Sequence, residues 1–226
     1  MHKKLQGEDM EEETLKNETL LIKSIIREPL KDHIKLLYNH FVRYSTAIRK
    51  LEISKNDTVI DASCGYGYGS YILSWHAKEV LGLDNNSGYL YNAKEIFGGE
   101  KIRFCKYEEL GELMNTNKIT KVNKIVCIET YEHLTPSESN TFVQKLLNYL
   151  QTGGNMFLTV PLGKNEPSSY NKYHLFEPSI DYMYNLFSGY FKKIIFEIST
   201  FRNSYGHDTK YCMMTLQYLE ENKKEI

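Results

Sequence analysis

Glycines between two acidic residues carry the strongest chemical signal in the sequence. The segment TVIDASCGYGYGS places Asp61 just before Gly65, Gly67 and Gly69, and Asp84 ends the next apolar run. Glycines at a turn between a strand and a helix let a ligand approach the backbone closely at the carboxyl edge of a parallel sheet. The segment therefore predicts a ligand-binding loop with carboxylates on both sides.

The same residues favour a cationic nucleoside over a diphosphate. A dinucleotide fold would place the third glycine of G-x-G-x-x-G at residue 70, where Ser70 stands. The Asp61 carboxylate ahead of the glycines repels a pyrophosphate but suits an ammonium group. An acid in the position of Asp84 accepts hydrogen bonds from ribose hydroxyls. A ligand with an ammonium group and a free ribose but no phosphate is S-adenosylmethionine, so a nicotinamide reductase is a disfavoured rival.

A second polar group combines Glu129, Glu132 and His133 with the later His174. The first three are spaced i, i+3 and i+4, so one helical turn would put them on one side. Two carboxylates and two imidazoles would make a mixed site for Mg, Mn, Fe or Zn. Three interpretations stay open. His133 or His174 is a general base without a metal, all four residues hold a divalent ion that lowers the pKa of an acceptor hydroxyl, or Glu132 and His133 only buttress the turn.

Strands and helices alternate from residue 57 onward, which predicts parallel strands joined by right-handed crossovers. Predicted strands cover 58–62, 79–84, 101–107, 124–129 and 155–161, with helices over 70–77, 87–97, 136–150 and 178–187. Two closing strands, 192–200 and 210–219, are separated only by a loop and can be antiparallel. We predict an α/β fold with a doubly wound, seven-stranded, mostly parallel sheet whose last strand is antiparallel.

Two predicted helices form a helical N-terminal extension before this region. The first ends at Pro29 and the second covers roughly residues 32–51, with apolar side chains at helical spacing. We expect residues 1–51 to form a helical cap and residues 52–226 to form the binding domain, within one compact unit. The length of 226 residues fits one large α/β domain.

Composition excludes several classes of protein. The chain is 41% hydrophobic and 25% charged, unlike a disordered chain, and its net charge of −1 gives no overall basic field for nucleic acid. No apolar run approaches the ~18 residues of a membrane span, and the N-terminus lacks the apolar core of a secretory signal. None of the four cysteines forms a C-x-x-C pair, and we interpret them as reduced thiols. We expect a cytoplasmic protein without a membrane span or a nucleic-acid partner, and leave a homodimer open.

With these motifs in place, residues 40–200 resemble the class I S-adenosylmethionine-dependent methyltransferases, which have a Rossmann-like fold. The resemblance implies an enzyme in which Asp61 and Gly65 to Gly67 line the methionine moiety. It implies that Asp84, with Asn85, contacts the ribose and that Glu129 lies near the methionine end. The adenine would be contacted by the residues after the third strand, Tyr107, Glu108 and Glu109. The family usually has glycine where Ser63 stands, and a small residue should fit there.

The segment His40 to Tyr44 resembles a short R-Y element that precedes the glycine loop in some members of this family. There the helix covers the cofactor. The resemblance implies that Arg43 meets the cofactor carboxylate and that Tyr44 packs nearby. A solvated Arg43 beside a packed Tyr44 is the alternative interpretation.

The E-x-x-E-H-L string and the later histidine resemble the metal site of small-RNA 3′-end 2′-O-methyltransferases. They also resemble ubiquinone-pathway O-methyltransferases and glycan-modifying relatives. The loop over 162–177 resembles the acceptor loop of sugar methyltransferases and supplies Asn165, Ser168, Ser169, Tyr170 and Asn171. Together they imply O-methylation of a small polar acceptor such as a sugar, a surface-glycan precursor or another metabolite. The alternatives are an RNA 2′-O-methyltransferase with a metal-assisted site and an inactive cofactor-binding partner subunit.

Overall fold

The fold alternates strands and helices along the chain. A computed structural model describes residues 30–202 and 208–218. The elements in order are α1 (Leu30–Lys50), β1 (Thr58–Ala62), α2 (Tyr68–Ser74), β2 (Glu79–Leu83), α3 (Ser87–Phe97), β3 (Ile102–Cys105), α4 (Leu110–Thr116), β4 (Val122–Ile128), α5 (Pro136–Leu147), β5 (Leu150–Pro161), α6 (Ile180–Ser188), β6 (Phe191–Arg202) and β7 (Asp208–Tyr218). Short 3₁₀ turns, Tyr107–Glu109 and Tyr131–His133, follow β3 and β4.

The seven strands form one sheet in the order β3-β2-β1-β4-β5-β7-β6. Strands β1 to β5 pair in parallel, and β7 runs antiparallel to both β5 and β6. The predicted doubly wound, mostly parallel sheet with an antiparallel last strand is therefore confirmed. The chain reverses its direction of winding between β1 and β4, so residues that follow these two strands border one crevice.

The central strands are buried on both faces by the flanking helices. Val59 and Ile60 of β1 and Ile125 and Val126 of β4 are all 0% exposed. This explains why these strands appear in the sequence as continuous apolar runs rather than as alternating ones. Each such side chain contributes roughly 1.5–3 kcal/mol by leaving water, so the strand ends at the crevice are held rigidly.

The glycine pair Gly153 and Gly154 follows the helix predicted over 136–150, where it would be expected to end that helix. In the structure it does not. Helix α5 ends earlier, at Leu147, and both glycines lie within β5. Strand β5 pairs with β4 at Leu150 and again from Asn155, and the register shifts between these points. Gly153 has φ 76°, so the pair forms an irregularity in the strand, where glycine is commonly found.

Helix α4 was not predicted from the sequence. It is short, and its apolar content is limited to Leu110, Leu113 and Met114, of which Leu110 and Met114 are buried. Their spacing of i, i+3 and i+4 is helical, but a single turn of periodicity is too brief to separate from a loop.

Two compact units divide the chain, Met1–Asn39 and His40–Ile226. The second predicted helix corresponds to α1, whereas the first predicted helix lies outside the described residues. The boundary between residues 51 and 52 stays a prediction. Among the helices that the structure describes, none has the length and apolarity needed to cross a bilayer.

Gly67 offers a stability test of the glycine loop. Its φ is 84°, and a Cβ there would lie 2.8 Å from Ala93 Cβ and from Phe104 Cζ. We expect Gly67→Ala to lower the free energy of unfolding by about 1–3 kcal/mol, because it adds both strain and a clash. Urea denaturation without cofactor measures this. Gly99→Ala is the matched control, since a Cβ there meets nothing within 4 Å and should change stability by less than about 0.5 kcal/mol.

Candidate active site

The loop after β1 uses left-handed backbone at three positions. Ser63 has φ 62°, Gly65 φ 53° and Gly67 φ 84°. Ser63, where the family usually has glycine, is held there by its hydroxyl, which lies 3.0 Å from the hydroxyl of Tyr107. The serine therefore joins the glycine loop to the segment after β3.

Asp84 fixes the glycine loop from the neighbouring strand. Its carboxylate accepts hydrogen bonds from the N–H of Gly65 at 2.9 Å and the N–H of Asn86 at 2.8 Å. The carboxylate is half-buried and faces a cleft of about 430 Å³ that Ser63, Asn85 and Tyr107 also line. This volume is in the range of small-molecule sites, and Asp84, Asn85 and Tyr107, three of the predicted ribose and adenine residues, line it.

Glu108 and Glu109 have different surroundings after β3. Glu108 lines an adjoining cavity of about 390 Å³, which shares Asn85 and Tyr107 with the first cleft. The Glu109 carboxylate instead accepts the Lys106 N–H at 3.0 Å, and the Glu109 N–H donates to the Lys106 carbonyl at 3.1 Å. The backbone of the 3₁₀ turn therefore already engages Glu109, whereas Glu108 borders the cavity.

Asp61 lies behind the glycine loop rather than on the cleft surface. It is 0% exposed and accepts hydrogen bonds from the Tyr44 hydroxyl at 3.0 Å and the Ser70 hydroxyl at 2.7 Å. Burial raises the pKa of this carboxyl to about 6, despite those two hydrogen bonds. Ser70, which argued against a dinucleotide fold, thus also stabilises the buried acid.

One face of α1 contacts the glycine loop. His40, Arg43 and Tyr44 are spaced i, i+3 and i+4 on this helix. Burial, and then the charge of Arg43, lower the pKa of His40 to about 4, so its ring is neutral, and its Nδ1 shares a hydrogen bond with the Tyr68 hydroxyl. The interpretation in which Arg43 is solvated is wrong, because this residue is only 8% exposed.

Arg43 pairs with Glu129 at the end of β4. Its guanidinium lies 3.4 Å from a Glu129 carboxylate oxygen and 4.8 Å from the centre of the Tyr211 ring. The other Glu129 oxygen accepts a hydrogen bond of 2.8 Å from the hydroxyl of Thr159 on β5. Glu129 also has φ 49°, so this acid is held by its backbone turn, an arginine and a threonine.

The structure brings Glu132, His133 and His174 together but leaves Glu129 outside their cluster. Potential ligand atoms of these three side chains all lie within 4.8 Å of one another. Glu132 is 1% exposed, and neither of its carboxylate oxygens has a hydrogen-bond partner among the described residues. Burial, and then the nearby Glu129 charge, raise the pKa of Glu132 well above its usual range. A buried carboxylate without a partner is costly, and a cation would remove that cost.

Both imidazoles of this cluster have their outer nitrogen engaged. Nδ1 of His133 lies 2.8 Å from the Tyr173 carbonyl oxygen, and Nδ1 of His174 lies 2.8 Å from a Glu177 carboxylate oxygen. A carbonyl can only accept, and an ionised carboxylate does the same, so both Nδ1 atoms carry the proton. Each Nε2 is then available as a ligand or a base. One carboxylate and two imidazoles suit a divalent transition metal.

The loop over 162–177 uses much of its polarity to hold its own shape. Asn165 accepts the Ser179 N–H at 2.7 Å, Ser168 accepts the Asn171 N–H at 3.3 Å, and Asn171 accepts the Tyr173 N–H at 3.1 Å. The loop is therefore an ordered wall beside the Glu132–His133–His174 cluster.

Sequence reasoning missed three residues of this region, Thr159, Glu177 and Tyr211. Thr159 is a polar residue inside an apolar strand, and Glu177 is an acid three positions after His174, so both left a weak signal. Tyr211 lies on β7, far along the chain from the motifs, and only the fold brings it beside Arg43.

The strand order, the glycine loop and the flanking cleft define a class I methyltransferase that uses S-adenosylmethionine. Residues 32–196 match the family model described as mycolic acid cyclopropane synthetase, and the chain belongs to this family.

Solved structures share the fold. A SAM-dependent methyltransferase from Methanosarcina mazei is 15% identical, with 77% of this chain and 97% of that chain covered and a TM-score of 0.58. The N-methyltransferase NodS from Bradyrhizobium japonicum, in complex with S-adenosyl-L-homocysteine, is 11% identical, with 79% and 86% covered and a TM-score of 0.60. At these identities the likeness is one of fold.

Among curated proteins, the Francisella tularensis enzyme named 23S rRNA (uracil(1939)-C(5))-methyltransferase RlmD is 43% identical over 56 residues. The matched segment is 25% of this chain and 12% of that protein, so the chain spans only a small part of the length of this relative.

The raised pKa of Asp61 predicts a pH-dependent stability. In the folded chain this carboxyl keeps its proton up to about pH 6, whereas the ordinary pKa of an aspartate side chain is 3.8. Its contribution to stability is complete below the lower value and is lost as the pH rises through the higher one, by up to about 3 kcal/mol. We expect Asp61→Asn to remove this part of the decline. Urea unfolding of both proteins between pH 4 and 7 measures it, and parallel curves would contradict the assignment.

Asp84 provides a test of the cofactor cleft. Replacing Asp84 with alanine removes the acceptor of two backbone N–H groups, which is also the predicted acceptor of the ribose hydroxyls. We expect binding of S-adenosylhomocysteine to weaken by ~1–3 kcal/mol, as measured by calorimetric titration. Glu95→Ala, an exposed acid on α3, is the control and should bind as the unmodified protein does. Unchanged affinity in Asp84→Ala would contradict the ribose assignment.

Proposed function

We propose that this enzyme transfers the methyl group of S-adenosylmethionine to a hydroxyl oxygen of a small polar acceptor, such as a sugar or a surface-glycan precursor. The observation that carries the proposal is the buried Glu132 carboxylate beside His133 and His174, whose oxygens accept no hydrogen bond from any described residue. This cluster follows β4 and the acceptor loop follows β5, at the same edge of the sheet as the cofactor cleft.

A hydroxyl needs help to become a nucleophile, and this cluster suits that task. The bound cofactor supplies an activated methyl group on sulfur, so the protein mainly aligns the reactants and excludes water. The acceptor oxygen forms its bond to the methyl carbon as the bond from that carbon to sulfur breaks, and the hydroxyl proton has to leave. A divalent ion bound by Glu132, His133 and His174 would lower the pKa of that hydroxyl.

The chain's own residues would support this chemistry in two ways. Both imidazole rings are anchored through Nδ1. The Glu132 carboxylate and the two Nε2 atoms would therefore surround the acceptor oxygen in a fixed geometry. Arg43 and Thr159 keep Glu129 as a separate charge at the methionine end. Without a metal, His174 or His133 would instead take the hydroxyl proton as a general base. The metal-removal experiment below distinguishes this general base from a metal ion.

An activity screen tests the proposal. Purified protein is incubated with methyl-labelled S-adenosylmethionine and a panel of free sugars, nucleotide sugars, polyols and a short single-stranded RNA. Label on a hydroxyl compound supports the proposal, and label on the RNA alone would favour the RNA 2′-O-methyltransferase. Binding of S-adenosylhomocysteine with no label on any acceptor would favour an inactive partner subunit.

Metal removal and Glu132→Gln test the site itself. We expect chelator-stripped protein, and Glu132→Gln with metal restored, to lose ~100-fold or more in kcat/KM, because a bound ion supplies several kcal/mol. Glu112→Gln, an exposed acid on α4, is the control. Metal-free Glu132→Gln should melt no lower than the unmodified protein, because neither carboxylate oxygen has a hydrogen bond to another described residue that the substitution could break. Full activity in stripped protein would exclude the metal and leave the general base.

We also propose a cytoplasmic location, a helical cap over residues 1–51, and a homodimer as the assembly. The location and the cap are supported by the sequence patterns described above. Size-exclusion chromatography with light scattering tests the assembly directly.

A further inference from the structure

We infer that Glu177 is a positioning residue, which holds the His174 imidazole with Nδ1 protonated so that Nε2 enters the cluster with Glu132 and His133. Its carboxylate oxygen lies 2.8 Å from Nδ1 of His174, and the two residues are 7% and 9% exposed. The inference rests on the proposed function, since it assigns an orienting partner to the same site.

The loop is built to keep Glu177 in this position. The Glu177 N–H donates to the Glu166 carbonyl at 2.9 Å, and the Glu177 carbonyl accepts the Asn165 N–H at 3.0 Å. Gly163 leaves room for the side chain, because a Cβ there would lie 2.6 Å from Glu177 Cβ. The backbone and a glycine therefore fix the acid before any ligand binds.

The Glu177 carboxylate and the His174 imidazole form a buried pair at 2.8 Å, three positions apart in the chain. A charged carboxylate on the outer nitrogen of an imidazole fixes the tautomer and makes the inner nitrogen a better ligand.

The two histidines therefore have unequal partners. Nδ1 of His133 donates to a neutral backbone carbonyl, that of Tyr173, which no side-chain substitution removes. Nδ1 of His174 donates to a carboxylate, which a substitution can remove. Because only the Glu177 partner can be removed by substitution, Glu177 is the one to test. The difference also predicts that Nε2 of His174 is a stronger metal ligand than Nε2 of His133.

The experiment compares Glu177→Ala, Glu177→Gln and the control Glu166→Ala in the full-length chain. Glu166 lies in the same loop with an exposed side chain, and its backbone carbonyl is unaffected by substitution. Histidine tautomers are measured by ¹⁵N NMR in metal-free protein. Site occupancy is measured by titration with Co²⁺, followed by its visible absorption.

We expect His174 to be the Nδ1-protonated tautomer in the unmodified protein and in Glu166→Ala, and a mixture in Glu177→Ala. Co²⁺ affinity should fall by about 10–100-fold in Glu177→Ala. Glu177→Gln should keep the tautomer, because its amide oxygen still accepts the Nδ1 proton, and should bind Co²⁺ with intermediate affinity. Should Glu177→Ala fail to fold, unaltered Co²⁺ affinity in folded Glu177→Gln would overturn the inference.

Failures of the two proposals are distinguishable. An unchanged tautomer and unchanged Co²⁺ affinity in Glu177→Ala would overturn the role of Glu177 while leaving the metal site intact. Absence of Co²⁺ binding in the unmodified protein would overturn the metal part of the proposed function, and the His174 tautomer would still decide the role of Glu177.

Discussion

Burying carboxylates where β1 and β4 end is the physical constraint around which this site is organised. Moving an ionised carboxylate out of water costs several kcal/mol unless a partner compensates it. Asp61 is compensated by two hydroxyl donors and Glu129 by Arg43 and Thr159. Glu132 has no such partner among the described residues. The difference separates two acids that are paired within the fold from Glu132, the acid on which the proposed function rests.

Helix α1 links these acids to one another. Arg43 and Tyr44 are adjacent in sequence, yet they serve different strands, because Arg43 pairs with Glu129 after β4 and Tyr44 with Asp61 in β1. The Tyr44 ring also occupies the space above Gly69, where a Cβ would lie 1.9 Å from its Cζ. A single helical turn therefore ties the glycine loop to the β4 segment, and it does so through charge and hydrogen bonding rather than apolar packing alone.

Much of the fold could be predicted because apolar runs and turn residues carry it. The mostly parallel sheet followed from the alternation of strands and helices, and the predicted start of a helix at residue 136 is the observed start of α5, where Thr135 and Glu138 form a capping box. The irregularity at Gly153 could not be predicted, since two glycines after a helical pattern are equally consistent with a helix stop. The candidate cofactor residues could be selected from the sequence because they lie at the ends of predicted strands or directly after them.

The surroundings of the candidate site were harder to read. The sequence grouped Glu129 with Glu132 because spacing in one turn implies proximity. It could not show that Glu129 has a left-handed backbone and pairs with an arginine from a distant helix. The contact that Tyr211 makes across the sheet leaves no local periodicity and emerges only from the tertiary structure, whereas Glu177, three positions after His174, left a weak local signal.

The loop over 162–177 holds His133 through a main-chain carbonyl, which separates the orientation of this imidazole from the identity of the loop's side chains. Tyr173 is 64% exposed and Leu175 45% exposed, yet neither side chain supplies the hydrogen bond to the imidazole. Substitutions at these two surface positions can therefore alter the outer face of the loop while His133 keeps its hydrogen bond.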